Sequence, residues 1–141
     1  MNSMVANSFF YNLASRADLR VLVVDDDSFQ LEAISGILHD LGFAQITLAS
    51  SGSEALRVMA GKPHFDLVVT DLHMPGMDGF LFMEQVAGDG YAGALIIVSG
   101  QNGDVMHAAS LVARLRRFKL LGSIKKPISR TAFVELFNQF S

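Results

Sequence analysis

Four apolar runs in this chain each end on a group with chemistry of its own. Val21–Val24 leads into Asp25-Asp26-Asp27, Leu67–Thr70 into Asp71, Leu95–Val98 into Ser99-Gly100, and Leu120–Ile124 into Lys125-Lys126-Pro127. If these runs are parallel strands of one sheet, the carboxylates, the hydroxyl and the ammonium converge on a single edge. Carboxylates packed together repel one another and call for a compensating charge. A hard divalent cation held by oxygens supplies it, and magnesium suits a site with few carboxylates and positions left for water and phosphate. A hydroxyl and an ammonium beside that metal offer donors and positive charge to the oxygens of a phosphoryl group. The set reads as an aspartate nucleophile, a metal, a hydroxyl and a lysine, which is covalent phosphoryl chemistry.

The elements that must position these groups are legible in the hydrophobic pattern. A fifth run, Gln45–Leu48, joins the four above. Their continuous rather than alternating hydrophobicity is that of strands covered on both faces. Between them lie segments with helical spacing. Leu31, Ile34, Ile37, Leu38 and Leu41 form one, closed by Gly42 as a C-terminal glycine. The second opens with the capping-box pattern Ser51-Gly-Ser-Glu54. The third spans Gly79 to Ala87, the fourth Asn102 to Phe118 and the fifth Ser129 to Phe140. Strands alternating with helices predict an α/β fold, a (βα)5 domain over residues 20–141 with a doubly wound parallel sheet. Ligands in such sheets bind beyond the carboxyl ends of the strands. Residues 1–19 form an N-terminal extension in which Phe9, Phe10 and Leu13 have the spacing of a short amphipathic helix, with Arg16-Ala-Asp18 as its exit.

Taken singly, each site residue also has a plainer role. Asp27 followed by Gln30 resembles a helix N-cap pair, and Asp78 a cap for the third helix. Ser99 alone reads as a loop residue, Lys126 as a solvated lysine before a turn, and His73 as an exposed loop histidine. The joint reading gains from the fact that each residue ends a different strand.

Composition narrows the classes. At 141 residues the chain can bury a core without staples, and its 50% hydrophobic content and mean hydropathy of +0.35 exclude disorder throughout. With no cysteine there is no disulfide, thiolate metal site or cysteine nucleophile. A net charge of −3 speaks against direct nucleic-acid binding. No run approaches the roughly 18 apolar residues of a membrane span, and the N-terminus lacks a signal-peptide pattern, so a cytoplasmic protein is expected.

The segments VLVVDDD, LVVTDLHMPGMDG, LIIVSG and KKP, in this order, resemble the receiver domain of two-component response regulators over residues 20–140. The resemblance implies a flavodoxin-like strand order 2-1-3-4-5. It also implies that Asp71 is the phosphoacceptor, taking its phosphoryl group from a histidine kinase, a phosphotransfer protein or a small-molecule donor. Asp26 and Asp71 would bind Mg2+ directly with the His73 carbonyl, Asp25 would bind through a water, Lys126 would pair with the phosphoryl group, and Ser99 would hydrogen-bond it. A cis peptide before Pro127 belongs to the same pattern. Pro75 and Gly76 shape the loop past Asp71, and His73 and Gln101 stand where the family tunes dephosphorylation. The implied reader is an output domain or partner outside this chain, with room for a phosphorylation-dependent homodimer. Two features depart from the family. Ser123 replaces the aromatic residue that swings inward on phosphorylation, and the stretch from Ser99 to Lys126 is long, carrying the cationic cluster Arg114-Leu-Arg-Arg-Phe-Lys119. Those cations suit a helix C-terminus, with a docking patch as the alternative. The long stretch and LLGSIKKP are similar to receivers fused to cyclic-di-GMP phosphodiesterase domains. Two other classes compete: a phosphohydrolase, which needs a second acid where His73 stands, and a receiver-shaped interaction domain that is never phosphorylated.

Overall fold

The computed structural model describes residues 13–61, 64–74, 76–91, 93–100 and 103–139. Five strands, β1 (Arg20–Val24), β2 (Gln45–Ala49), β3 (Leu67–Asp71), β4 (Ala94–Ser99) and β5 (Lys119–Lys125), make one parallel sheet in the order β2-β1-β3-β4-β5. The connecting helices are α1 (Ser28–Asp40), α2 (Gly52–Gly61), α3 (Gly79–Gly88), α4 (Gly103–Leu115) and α5 (Arg130–Asn138). The (βα)5 reading and the 2-1-3-4-5 order both hold.

Alternate residues of the central strands enter two separate cores. Val21, Val23, Leu67, Val69, Ile96 and Val98 pack with α1 and α5 on one face. Leu22, Val24, Val68, Leu95 and Ile97 pack with α2, α3 and α4 on the other. A strand whose two faces are both dry needs apolar residues at every position, which explains the unbroken runs. Burial of one such Val, Leu or Ile side chain stabilises the fold by about 1.5–3 kcal/mol. The edge strands β2 and β5 are only partly buried.

Several boundaries differ from the sequence reading. Phe9 and Phe10 lie outside the described residues, and the extension enters the fold as a 3-10 turn, Leu13–Asp18. Arg16 lies in the last turn of this element and also anchors it. Its guanidinium lies 5.5 and 5.4 Å from the Phe43 and Phe137 ring centroids and donates to the Leu41 carbonyl at 2.7 Å. The fourth helix ends at Leu115, short of Phe118, because Arg117 takes a left-handed backbone (φ 66°) and turns the chain into β5. In β5, Leu95 pairs with Leu120 but Ile96 with Gly122, so Leu121 is an extra residue bulging from the ladder.

Candidate functional site

Asp25, Asp71, Ser99 and Lys126 sit at or just beyond the ends of adjacent parallel strands, on one edge of the sheet. The register fixes their proximity: Val24 is opposite Thr70, Asp71 opposite Val98, and Ser99 opposite Lys125. Each site residue is held through its backbone as well. The Asp25 N–H donates to the Ala49 carbonyl at 3.2 Å and the Lys126 N–H to the Ser99 carbonyl at 2.9 Å. The Thr70 hydroxyl donates to the Asp71 carbonyl at 3.0 Å. The Lys126–Pro127 peptide is cis.

Beyond Asp71 the chain reverses tightly into α3. The Gly79 N–H donates to the Leu72 carbonyl at 2.9 Å. A β-carbon on Gly79 would sit 2.6 Å from Leu72 Cα and 2.7 Å from the Asp71 carbonyl oxygen, so only glycine lets the helix start this close to the strand. Gly76, in the same loop, has φ +83°. Asp78 caps α3, accepting from the Leu81 N–H at 2.9 Å, as read from the sequence.

The charges are buried and coupled. Asp25 is 0% and Asp71 3% exposed, while Asp26 and His73 are exposed. One carboxylate oxygen from each of Asp25, Asp26 and Asp71 falls within 4.8 Å of the others. Lys126 Nζ donates to Asp25 Oδ2 at 3.1 Å and lies 3.4 Å from Asp71 Oδ2. Burial pushes the Asp25 carboxyl above its ordinary range, with the Asp71 charge adding to it; the Asp27 N–H and Lys126 oppose them without winning. For Lys126, burial favours the neutral amine, but Asp71 and Asp25 together hold its ammonium above the usual range. Three acids against one ammonium leave negative charge uncompensated. The donor set, all oxygen with Asp26 facing solvent, fits a hard divalent cation such as Mg2+.

The structure thus brings together Asp25, Asp26, Asp71 and Lys126, and sets buried Ser99 beside Lys126. His73 is on the loop after Asp71 with its side chain exposed. Pro75 and Gln101 lie outside the described residues. Asp27 caps α1 through the Phe29 N–H at 2.9 Å, but its pairing with Gln30 does not form. The Asp27 N–H instead donates to Asp25 Oδ1 at 2.9 Å, and Gln30 Oε1 is buried without a partner among the described residues. This second task of Asp27, orienting a buried carboxylate, was missed; its signal is the two-residue spacing of an Asx turn in Asp25-Asp26-Asp27. Gly79 was likewise read only as a helix start, and a Gly directly after the Asp78 cap was the available clue.

Fold and site define a class: a flavodoxin-like α/β domain that gathers acids around a lysine at the carboxyl edge of its sheet. The chain belongs to the response regulator receiver domain family, which matches residues 21–138. It is 41% identical over 68 residues to a probable chemotaxis protein CheY of Rhizobium etli, covering 48% of this chain and 52% of that protein. It is 27% identical over 124 residues to the cyclic di-GMP phosphodiesterase RocR of Pseudomonas aeruginosa, covering 88% of this chain and 32% of RocR. The matched regions therefore span about half and a third of these relatives' lengths. A receiver domain structure from Clostridium thermocellum superposes with a TM-score of 0.70 at 26% identity, covering 86% of this chain and 93% of that one. A chain of the CheX–CheY–BeF3–Mg2+ complex of Borrelia burgdorferi shares the fold, with a TM-score of 0.73 at 24% identity, covering 86% of this chain and 87% of that one. The protein is a CheY-like receiver of two-component signalling, and no helix among the described residues is long and apolar enough to cross a membrane.

Proposed function

We propose that Asp71 accepts a phosphoryl group from a histidine kinase or phosphotransfer protein, and that the Ser99 loop and α4 rearrange in response. The observation that carries this reading is the placement of Lys126 Nζ 3.1 Å from Asp25 and 3.4 Å from Asp71, within a group of three acids. An Asp71 carboxylate oxygen attacks phosphorus in line, the bond from phosphorus to the donor's imidazole nitrogen breaks, and the released imidazole takes up a proton. The product is a mixed anhydride, an aspartyl phosphate, that water later hydrolyses. Lys126 moves its charge from the Asp71 carboxylate to a phosphoryl oxygen, and the Ser99 hydroxyl donates to another. Asp26, Asp71 and the His73 carbonyl would hold Mg2+, with Asp25 beside them, and the ion would supply positive charge to the transferring oxygens. Asp25 also keeps Lys126 in place.

Receivers are signalling modules rather than turnover catalysts, and His73 stands where an aspartyl phosphohydrolase needs its second acid. Output passes to a domain or partner outside this chain, or through a phosphorylation-dependent homodimer, in the cytoplasm. The match to RocR across most of the chain supports a cyclic-di-GMP phosphodiesterase as that output. Intact-mass measurement after treatment with acetyl phosphate and Mg2+ tests the chemistry. One added phosphate, removed by hydroxylamine and absent in Asp71→Asn, is expected. No added mass in the native chain would leave the non-phosphorylated interaction domain, the reading that Ser123 keeps open.

A further inference from the structure

The amino edge of the sheet, across the molecule from the acids, holds a pocket of about 620 Å³ between the carboxyl ends of α2 and α3. That volume falls in the roughly 300–1,000 Å³ range of small-molecule sites. Its apolar wall is Met59 from the last turn of α2, Val86 from the last turn of α3, and Phe65 and Tyr91 from the segments leading into β3 and β4. Phe65 and Val86 are buried and Met59 and Tyr91 half-buried, while the polar groups His64 and Asp89 stand exposed on the rim. None of these residues belongs to the acid site.

The backbone fixes the aromatic part of this wall. α3 closes with a turn in which the Tyr91 N–H reaches back to the Val86 carbonyl at 3.2 Å, with Gly90 in the left-handed position (φ +94°). The same turn closes α1 at Gly42, from Phe43 to Leu38, and α4 at Arg117, from Phe118 to Ala113. The Tyr91 hydroxyl donates to the Ala94 carbonyl at 2.7 Å, so its one polar atom is already used by the backbone. A β-carbon on Gly93 would lie 2.5 Å from that hydroxyl, and glycine there leaves the ring its place.

The polar surroundings of the pocket favour a cation. Neither α2 nor α3 has a basic residue in its last turn, so the partial negative charge of both helix ends is left unbalanced there. Asp89 adds a carboxylate that pairs with no cation among the described residues. His64 Nε2 donates to Asp66 Oδ1 at 2.9 Å, which commits the imidazole to that acid. Burial pushes the Tyr91 phenol up, and the Asp66 charge adds to it. Arg20 and Lys119 open strands at the same edge but do not line the pocket, and Lys62 lies outside the described residues. We infer that this pocket binds a small aromatic amine, its ring against Met59, Phe65, Val86 and Tyr91 and its ammonium at Asp89 and the carboxyl ends of α2 and α3. An apolar wall with few polar groups suits a compact ligand with one charge. An ammonium also gains from aromatic faces. A carboxylate or phosphate ligand meets like charge at Asp89 and at both helix ends, on a chain whose net charge is −3.

The test is an NMR titration of the 15N-labelled chain, in excess Mg2+ to occupy the acids, with three ligands that share an indole ring. They are tryptamine, the alcohol tryptophol and indole-3-acetate. Expected with tryptamine are saturable shifts at residues 59–60, 64–66, 86 and 89–91. Its affinity should exceed that of tryptophol by roughly two- to five-fold, the scale of an exposed ion pair, and indole-3-acetate should bind most weakly. Asp89→Asn should lower tryptamine to the tryptophol value and leave tryptophol unchanged. Ala60→Trp, which fills the exposed rim, should weaken all three ligands and so reports position independently of charge. Lys62→Gln should leave tryptamine binding intact or tighten it. Equal affinity for the three ligands, tightest binding of indole-3-acetate, or native-like tryptamine binding by Asp89→Asn would overturn the inference. So would shifts centred elsewhere, or none at millimolar tryptamine.

Discussion

The two edges of this sheet hold their charges in opposite ways. At the carboxyl edge, strands deliver Asp25, Asp71 and Lys126 into a nearly dry site where each charge is fixed by backbone hydrogen bonds and by the others. At the amino edge, helices deliver Arg114, Arg116 and Arg117 into solvent, and among the described residues only Arg116 is paired with a carboxylate. Burial makes the first group strongly coupled, since charges in a poorly solvated site interact far more than exposed ones. The second group is exposed to solvent and screened by salt. One architecture thus gathers charge into a nearly dry site where strands stop and leaves it in solvent where helices stop.

The sharpest way to break this contrast is Asp71→Asn. It removes the proposed nucleophile while leaving the arginine edge untouched, so phosphate incorporation from acetyl phosphate should vanish. Phosphate uptake by the variant at another acid would sink the assignment of Asp71. Next in size is Gly79→Ala. Its β-carbon would meet backbone atoms of Leu72 and Asp71 that have no side-chain freedom to yield. Overpacking of this kind costs about 1–3 kcal/mol, to be read from a lowered midpoint in urea. An unchanged midpoint would mean that the turn after Asp71 is looser than its contacts imply.

A pH experiment separates the edges by coupling. The Asp25 carboxyl is held above its ordinary range by burial and by Asp71, so the folded chain binds a proton that the unfolded chain has already lost. Where the folded state binds more protons, stability falls as pH rises. In chelator, the stability of Asp25→Asn minus that of the native chain should therefore rise with pH from the ordinary carboxylate range up through the raised folded value, then level off. Lys126 acts at the other end: its ammonium is raised, so its stabilising contribution is intact below its usual value and lost as pH climbs past it. Lys126→Met should erase that alkaline loss. A difference curve that is flat or descending in the acid window would show that Asp25 is not held as its surroundings indicate. Arg114→Gln should leave both limbs unchanged.

What was legible in the sequence tracks how local its cause is. The central strands declared themselves because burial on both faces demands apolar residues at every position, and the site residues because each immediately follows such a run. The caps Asp27, Ser51 and Asp78 are decided within one helical turn: Ser51 Oγ accepts from the Glu54 N–H at 3.0 Å, as its spacing predicts. The Glu54 carboxylate, however, turns to the Ser50 N–H and hydroxyl rather than to Ser51. Features set by distant partners were not readable. Arg16 is fixed by Phe43 and Phe137, the bulge at Leu121 by the register with β4, and the Arg116–Glu84 pair by the packing of two helices. The bulged strand leaves Ser123 exposed with its hydroxyl 3.4 Å from that of Ser110 on α4. Where the family carries an aromatic ring, this receiver joins β5 to α4 through two small polar groups.

The smallest expected effect is the most discriminating one, because it compares the same turn in three places. At Gly42 and Gly90 a β-carbon has open space or ordinary contacts, so Gly→Ala there isolates the cost of the left-handed backbone, which is of the order of 1 kcal/mol per residue. Arg117 already bears that cost. Arg117→Gly should therefore raise the unfolding free energy by up to about 1 kcal/mol, reduced by the lost attraction of a cation to the helix C-terminus, about 0.3–1 kcal/mol. Urea unfolding of the three single variants decides it. If Gly42→Ala and Gly90→Ala are destabilised while Arg117→Gly is neutral or stabilised, arginine contributes nothing to the fold that glycine lacks. If Arg117→Gly is instead as damaging as the other two, the arginine is structural and the two edges of the sheet differ less than their charges suggest.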